Sequence, residues 1–444
     1  MERSAVTDIQ FDIVATVKDI ATRMKHYDSL LQVVNHPRQQ LSVNGQSINP
    51  WNPLTLSHGI PGVCMLYAEL HAHFPEEGWD EVGHQYLSIL VNEITQQGIH
   101  SSSMFSGAAG IGLAAICLSQ NFQYYHKFIE RIDDYLYSHI PEMIANFQQR
   151  DVFISDYDVI EGLSGIANYL LVHPTDERIQ QLQTNVLEYL IQLSQDKEVK
   201  DLQVPGWYIP SAHQFTTQES ELYPDGNFNL GLSHGIAGPL LILSKAWKQG
   251  IRLHGQEQAI RKMADFLLQF ASEEDGHLFW KGFISWDEYK AGHASTEESF
   301  RRDAWCYGNP GIGLALWYAG TALEESLYRD LAITNLKETV NDIHSIFSPT
   351  FCHGSAGILQ ILQTIDKQST VPQFEKEINI VSKTIINFYD KQYLFGFHNY
   401  EHFENSGLVP VDYIGLLDGV TGVCLPLLAV ELTQMTPWDQ SFSL

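Results

Sequence analysis

Residues Arg302 to Gly313 read R-D-A-W-C-Y-G-N-P-G-I-G. A cation, a thiol and a phenol here precede a Gly-x-x-Gly turn that opens into an apolar run. The turn recurs at Gly59/Gly62, Gly107/Gly110, Gly162/Gly165, Gly235/Gly238, Gly308/Gly311, Gly354/Gly357 and Gly419/Gly422, seven copies in all. Apolar runs such as VCMLYAEL (63–70) and ILQILQTI (358–365) follow it. Successive first glycines lie 48, 55, 73, 73, 46 and 65 residues apart, which leaves room for two helices per repeat and for insertions in the longer ones.

After each turn the apolar residues fall on nearly all sides, as in IGLAAICL at 111–118, PLLILSKAW at 239–247 and IGLALWYAG at 312–320. This texture predicts helices buried all round, an inner layer. Between them lie one-sided segments. Ile179, Leu182, Val186, Leu190 and Leu193 share a helical face from which Glu188 and Gln192 are excluded, and 83–97, 127–146, 256–270, 325–347 and 375–390 look similar. With a first outer helix around 10–35, the pattern predicts an all-α fold, an α/α toroid of seven inner and seven outer helices in alternation. Closure follows from the modest copy number and the absence of polar capping repeats. Two stretches, 196–228 and 272–301, break the texture with aromatic, β-branched and turn residues that predict strands. They flank the fourth repeat and are expected to form one small subdomain inserted in a single domain spanning 1–444.

The 444 residues include 53 acidic and 26 basic side chains, a formal charge of −27. Such a surface argues against nucleic acid or an anionic membrane as partner and would attract a basic peptide at low salt; solubility alone also accounts for it. No stretch is apolar enough for a membrane span, and the segment holding Glu2, Arg3 and Asp8 lacks a secretory signal, so the mature protein is expected to start here. Five cysteines without a signal peptide indicate free thiols in a reducing compartment.

The residues just before the first glycines are His58, Ser106, Glu161, His234, Tyr307, His353 and Asp418, all polar. If each turn starts an inner helix, these seven share one mouth of the ring. Ser106 and Asp418 also suit helix caps, and His58 reads as a cap or a neighbour of ligands. One position earlier stand Cys306 and Cys352. With His353 they make a Cys, Cys, His set that leaves tetrahedral zinc an open position; equally, both cysteines could be small buried hydrophobes. Cys64, Cys117 and Cys424 fall inside apolar runs and read as core. Asp158 and Glu161, His234 and Arg302 supply acid, base and cation, with a salt bridge from Arg302 to Asp303 or Asp158 as the purely structural alternative.

SHGIPG, FSGAAGIGLA, DYDVIEGLSGI, LGLSHGIAG, RDAWCYGNPGI and CHGSAGI occur in this order along essentially the whole chain. In this the chain resembles the lanthionine synthetase C-like lantibiotic cyclases, in the pattern of their nisin and subtilin branch. The resemblance implies a fourteen-helix α/α toroid with an inserted SH2-like α+β subdomain, one Zn2+ per chain on Cys306, Cys352 and His353, an acid/base His234 partnered by Asp158, and Arg302 and Tyr307 lining the site. It implies a Michael-type addition of cysteine thiols to dehydroalanine or dehydrobutyrine in a dehydrated precursor peptide, and assembly with a dehydratase and an ABC transporter at the cytoplasmic membrane face. Two further readings remain at this stage: a zinc prenyltransferase-like toroid, and a non-catalytic zinc scaffold that binds thiol peptides.

Overall fold

A computed structural model describes residues 11–43, 46–173, 176–295, 303–343, 346–403 and 407–444. Seven helices start at or just after the first glycine of a repeat: α2 (Ile60–His73), α4 (Ala108–Leu118), α6 (Leu163–Val172), α8 (Ala237–Lys248), α10 (Asn309–Ala322), α12 (Ser355–Gln368) and α14 (Val420–Glu431). Seven more alternate with them: α1 (Ile13–Arg23), α3 (Trp79–Gln97), α5 (His126–Phe147), α7 (Glu177–Gln192), α9 (Gln256–Gln269), α11 (Ser326–Asn341) and α13 (Glu375–Ile386). Even-numbered helices form the inner layer and odd-numbered helices the outer one. In α4 every residue is buried, whereas α7 buries Ile179, Leu182, Val186 and Leu190 and exposes Glu188. Periodicity therefore sorts the layers as expected.

Each inner helix packs on the next, and α14 packs on α2, so the ring closes. The second glycine of each turn explains how closely. A side chain at Gly357 would put its Cβ 2.8 Å from Cβ of Trp305, three residues before the first glycine of the preceding repeat. At Gly62 the Cβ would lie 2.8 Å from the amide and 3.0 Å from the Cβ of Leu416, which belongs to the last repeat. No other residue fits between neighbouring turns at that spacing.

Backbone hydrogen bonds tie the turns into the same circle. Leu56 N donates to Phe105 O (2.8 Å), Phe105 N to Ile160 O (3.1 Å), Val159 N to Ser233 O (2.9 Å) and Leu232 N to Cys306 O (2.9 Å). Cys306 N then donates to Cys352 O (3.3 Å), Cys352 N to Leu417 O (3.0 Å) and Leu417 N to Ser57 O (3.2 Å). Buried loop amides are thereby satisfied without a sheet.

The tail fills the centre. Phe442 and Trp438 are fully buried, and Phe442 stacks on Phe351 with 3.5 Å between ring centres and meets Phe105 and Trp305 edge-on or tilted. Trp305 Nε1 donates to the Phe442 carbonyl at 3.1 Å.

Strands occur in both segments expected to hold them. Asp196–Val199 pairs antiparallel with Leu202–Pro205, and Ser272–Glu274 with His277–Phe279. Asn227–Asn229 pairs with Phe283–Ser285, joining the two segments, and short helices Thr217–Leu222 and Trp286–Ala291 lie within them. Two further hairpins, Leu41–Val43 with Gln46–Ile48 and Asn399–Phe403 with Gly407–Val411, fall outside the segments where the sequence signals strand. They are short excursions whose pairing is local. The first outer helix is also shorter than expected: it ends at Arg23, and a second helix, Tyr27–Val34, follows a break at Met24–His26. No helix among the described residues is long and apolar enough to cross a membrane.

Candidate active site

All seven residues before the first glycines line one mouth, at the amino ends of the inner helices. Gly107 and Gly419 occupy the N-cap positions of their helices, so Ser106 and Asp418, which also suited caps, stand one residue outside them. Capping comes from further upstream: Ser103 Oγ accepts the Ser106 amide (3.2 Å), and Asp158 Oδ1 accepts the amides of Glu161 and Gly162 (both 2.7 Å). Side chains next to the glycine are thus released to face across to neighbouring repeats. Ser106 Oγ donates to Glu161 Oε1.

Asp158 is completely buried and joins two repeats. While Oδ1 caps α6, Oδ2 accepts Nδ1–H of His234 at 2.6 Å. Burial pushes the His234 pKa down, but the hydrogen bond and charge of Asp158, aided by Cys306 and Glu161, outweigh it and raise the pKa above 6.5. With Nδ1 engaged, Nε2 is the nitrogen left for proton transfer. Phe215, from the first insertion, meets the imidazole edge-on at 5.1 Å.

Tyr307 follows on the next loop, where Gly308 takes φ 77° and ψ −158°, a conformation that suits glycine alone. Asn229 Nδ2 donates to the phenolic oxygen at 3.0 Å, leaving the O–H to donate elsewhere. Burial pushes the Tyr307 pKa well up, so the phenol keeps its proton. The Phe283 ring lies 6.0 Å away.

On the next two loops, Cys352, His353 and Asp418 each place a ligand atom within 4.8 Å of the others, a group able to hold a metal ion. Asp418 Oδ1 is 3.3 Å from His353 Nδ1, and its Oδ2 is 3.8 Å from His58 Nε2. Burial lowers the His58 pKa and Asp418 offsets part of that. Cys306 is 3% exposed and stands on the adjacent loop, its amide on the Cys352 carbonyl, between this group and His234. One thiol, one imidazole and one carboxylate, with a second thiol on the neighbouring loop, form a donor set of the kind that suits zinc better than magnesium or calcium.

The sequence frame thus brings Cys306, Cys352, His353, His234, Asp158, Glu161 and Tyr307 to one mouth. Arg302 lies outside the described residues. Cys64, Cys117 and Cys424 are buried in the inner helices, as read. Asp418 as a partner of both histidines was within reach of the sequence, since it shares their frame; Phe215 belongs to an insertion with no repeat to place it, and Asn229 stands just past that insertion's end.

Residues 50–442 match the family described as lanthionine synthetase C-like protein. Nisin biosynthesis protein NisC of Lactococcus lactis subsp. lactis is 31% identical over 395 residues, 88% of this chain and 89% of the relative. The solved structure of a nisin cyclase superposes with a TM-score of 0.80 at 29% identity, over 97% of each chain. With a shared toroid and a family match across nearly its full length, the chain belongs to the lanthionine synthetase C-like family.

Proposed function

We propose that the protein is a zinc-dependent lantibiotic cyclase, which adds a cysteine thiol of a dehydrated precursor peptide to a dehydroalanine or dehydrobutyrine of the same peptide. The products are lanthionine and methyllanthionine thioether rings. One observation carries the reading: a metal-capable thiol and imidazole group shares a mouth with a carboxylate-held histidine, in a chain related to a nisin cyclase.

Cys306, Cys352 and His353 would hold the zinc, with Asp418 beside His353 to orient its ring. Bound zinc supplies a cation that keeps a thiol deprotonated near neutral pH, where a free thiol of pKa about 8.5 is mostly protonated. The protein's own groups then manage the rest. Attack at the β-carbon leaves an enolate, and His234, held as an acid by Asp158, gives its Nε2 proton to the α-carbon. Such positioned proton transfer contributes about 10²- to 10⁴-fold. Tyr307 donates its O–H to the enolate oxygen, and Arg302, by resemblance, lines the same site. The two insertions, joined through Asn227–Asn229 and Phe283–Ser285, act as one small subdomain in a single toroid domain and set Phe215 against His234. Resemblance also supports work at the cytoplasmic membrane face with a dehydratase and a transporter.

The test is mass spectrometry of dehydrated precursor peptide after incubation, with N-ethylmaleimide added to count free thiols. Ring closure conserves mass and removes one alkylatable thiol per ring. Unchanged alkylation by zinc-loaded protein would remove the cyclase reading, and consumption of a prenyl diphosphate would replace it.

A further inference from the structure

Phe215, on the first insertion, is a large apolar side chain left 51% exposed, yet the chain on either side of it is anchored. Upstream, the His213 ring stacks on Phe153 with 3.6 Å between centres, and Gln214 Oε1 accepts Asn227 Nδ2–H at 3.0 Å. Downstream, Thr216 caps the helix Thr217–Leu222: Glu219 N donates to Thr216 Oγ1 (3.0 Å) and Thr216 N to Glu219 Oε2 (3.2 Å). An apolar residue just before such a cap often packs on the fourth residue of its own helix. Here that residue is Ser220, whose hydroxyl donates to the Ser211 carbonyl at 2.9 Å. Phe215 turns instead to His234 and meets its ring edge-on, 5.1 Å between centres. The ring is held there before any ligand arrives, which lowers the ordering cost of binding.

The second insertion repeats the arrangement at the next residue of the mouth. Phe283 stands opposite Asn229 in the strand pair, Asn229 bonds the Tyr307 phenol, and the Phe283 ring lies 6.0 Å from that of Tyr307. In the reaction above the two rings border different ends of the dehydrated residue. His234 turns Nδ1 inward to buried Asp158, so Nε2 faces the mouth and must come within about 3 Å of the α-carbon. A β-methyl is only two bonds from that carbon, within van der Waals reach of a ring packed against His234. Tyr307 holds the carbonyl oxygen, a part of the peptide common to every residue. We infer that Phe215 is the specificity-determining residue of the site, its ring receiving the β-methyl that distinguishes dehydrobutyrine from dehydroalanine, while Phe283 borders the common backbone; this rests on the cyclase reading.

The experiment compares two peptides with a single cysteine, identical except that one carries dehydroalanine where the other carries dehydrobutyrine. Alkylation gives kcat/KM of ring closure for each with metal-loaded full-length protein. Phe215→Ala is expected to lower kcat/KM for the dehydrobutyrine peptide about 10-fold more than for the dehydroalanine peptide, the discrimination that one methyl gains from an apolar contact. Phe215→Leu, still apolar, is expected to keep most of the wild-type ratio, and Phe283→Ala to slow both peptides alike. An unchanged ratio in Phe215→Ala, or the same change in Phe283→Ala, would overturn the assignment. A second pair of peptides with the flanking residue changed to glycine tests the other occupant: loss of the Phe215→Ala effect there would give the ring to the neighbour and overturn it too. If wild-type protein closes none of these peptides, the cyclase reading fails; if it closes them, the ratio decides the role of Phe215. Phe215→Gln, polar and larger, carries the same expectation should the alanine variant not fold.

Discussion

At their amino ends the inner helices present His58, Ser106, Glu161, His234, Tyr307, His353 and Asp418; at their carboxyl ends they border a cavity of about 960 Å3 lined by Ala72, Leu118, Phe122, Tyr125, Lys367 and Asp439, among others. That cavity lies at the end away from the candidate chemistry. Backbone amides at the amino ends point outward with the positive end of the helix dipole, which favours carboxylates and thiolates; Asp158 uses two of them. At the carboxyl ends the dipole is reversed, and the groups there hold the tail. Buried Glu69 accepts the amides of Met435 (2.8 Å) and Thr436 (2.9 Å), and Lys245 donates to Gln440 Oε1 (2.7 Å) and the Leu444 carbonyl (3.2 Å). Burial lowers the Lys245 pKa to about 8, with Asp439 opposing the shift. A cavity borders the end that holds the tail, and the polar side chains before the turns gather at the other.

Four experiments sharpen or break this contrast. The largest effect is expected at the working mouth, where His234→Ala or Asp158→Asn should slow ring closure by about 10²- to 10⁴-fold with metal retained. Asp80→Asn and Glu81→Gln, both at the cavity, should leave the rate within about twofold; the peptide alkylation assay reads all four, and equal losses at both ends would dissolve the distinction. Next comes the tail. Phe442→Ala should lower stability by about 3–5 kcal/mol in a denaturant melt, because the ring is fully buried against Phe351 and Trp305, which precede Cys352 and Cys306. A loss below 1 kcal/mol would mean that the tail does not brace the ligand loops.

Gly357→Ala should cost somewhat less, about 1–3 kcal/mol, since the added carbon would meet the Phe351 carbonyl oxygen at 2.2 Å and Trp305 Cβ at 2.8 Å; an unchanged melt would refute the close packing of these turns. The smallest effect is a pH slope. The His234 pKa is raised in the folded protein, so its bond to Asp158 adds stability that is complete below pH 6.5 and is lost as pH rises through the higher folded value. Asp158→Asn should flatten stability against pH in that window. Identical slopes for variant and wild type would show that the pair does not couple to folding.

Much of this was legible in the sequence because it is local. Apolar residues on all sides after each turn separate inner from outer helices, and a single offset before the glycine names the residues of the mouth. The same offset carried Asp418 and left it open to two readings, since a capping aspartate and one that faces a neighbouring loop look identical in one dimension. Pairings distant in sequence were less readable. Nothing near residue 442 announces that it fills the centre, and nothing near Phe215 places it on His234. Hairpins at 41–48 and 399–411 lack the aromatic density that exposed the insertions, and the break at Met24–His26 carries neither glycine nor proline.

The most direct test of the account is elemental analysis of purified wild-type protein, Cys352→Ala and Cys117→Ala, prepared without added metal. About one zinc per chain is expected in the wild type and in Cys117→Ala, whose thiol borders the cavity, and none in Cys352→Ala, because ligation by thiolate is what binds the ion. A wild type that holds no zinc and cannot be loaded with it, or a Cys352→Ala variant that keeps its zinc, would contradict the placement of the chemistry at the amino-end mouth.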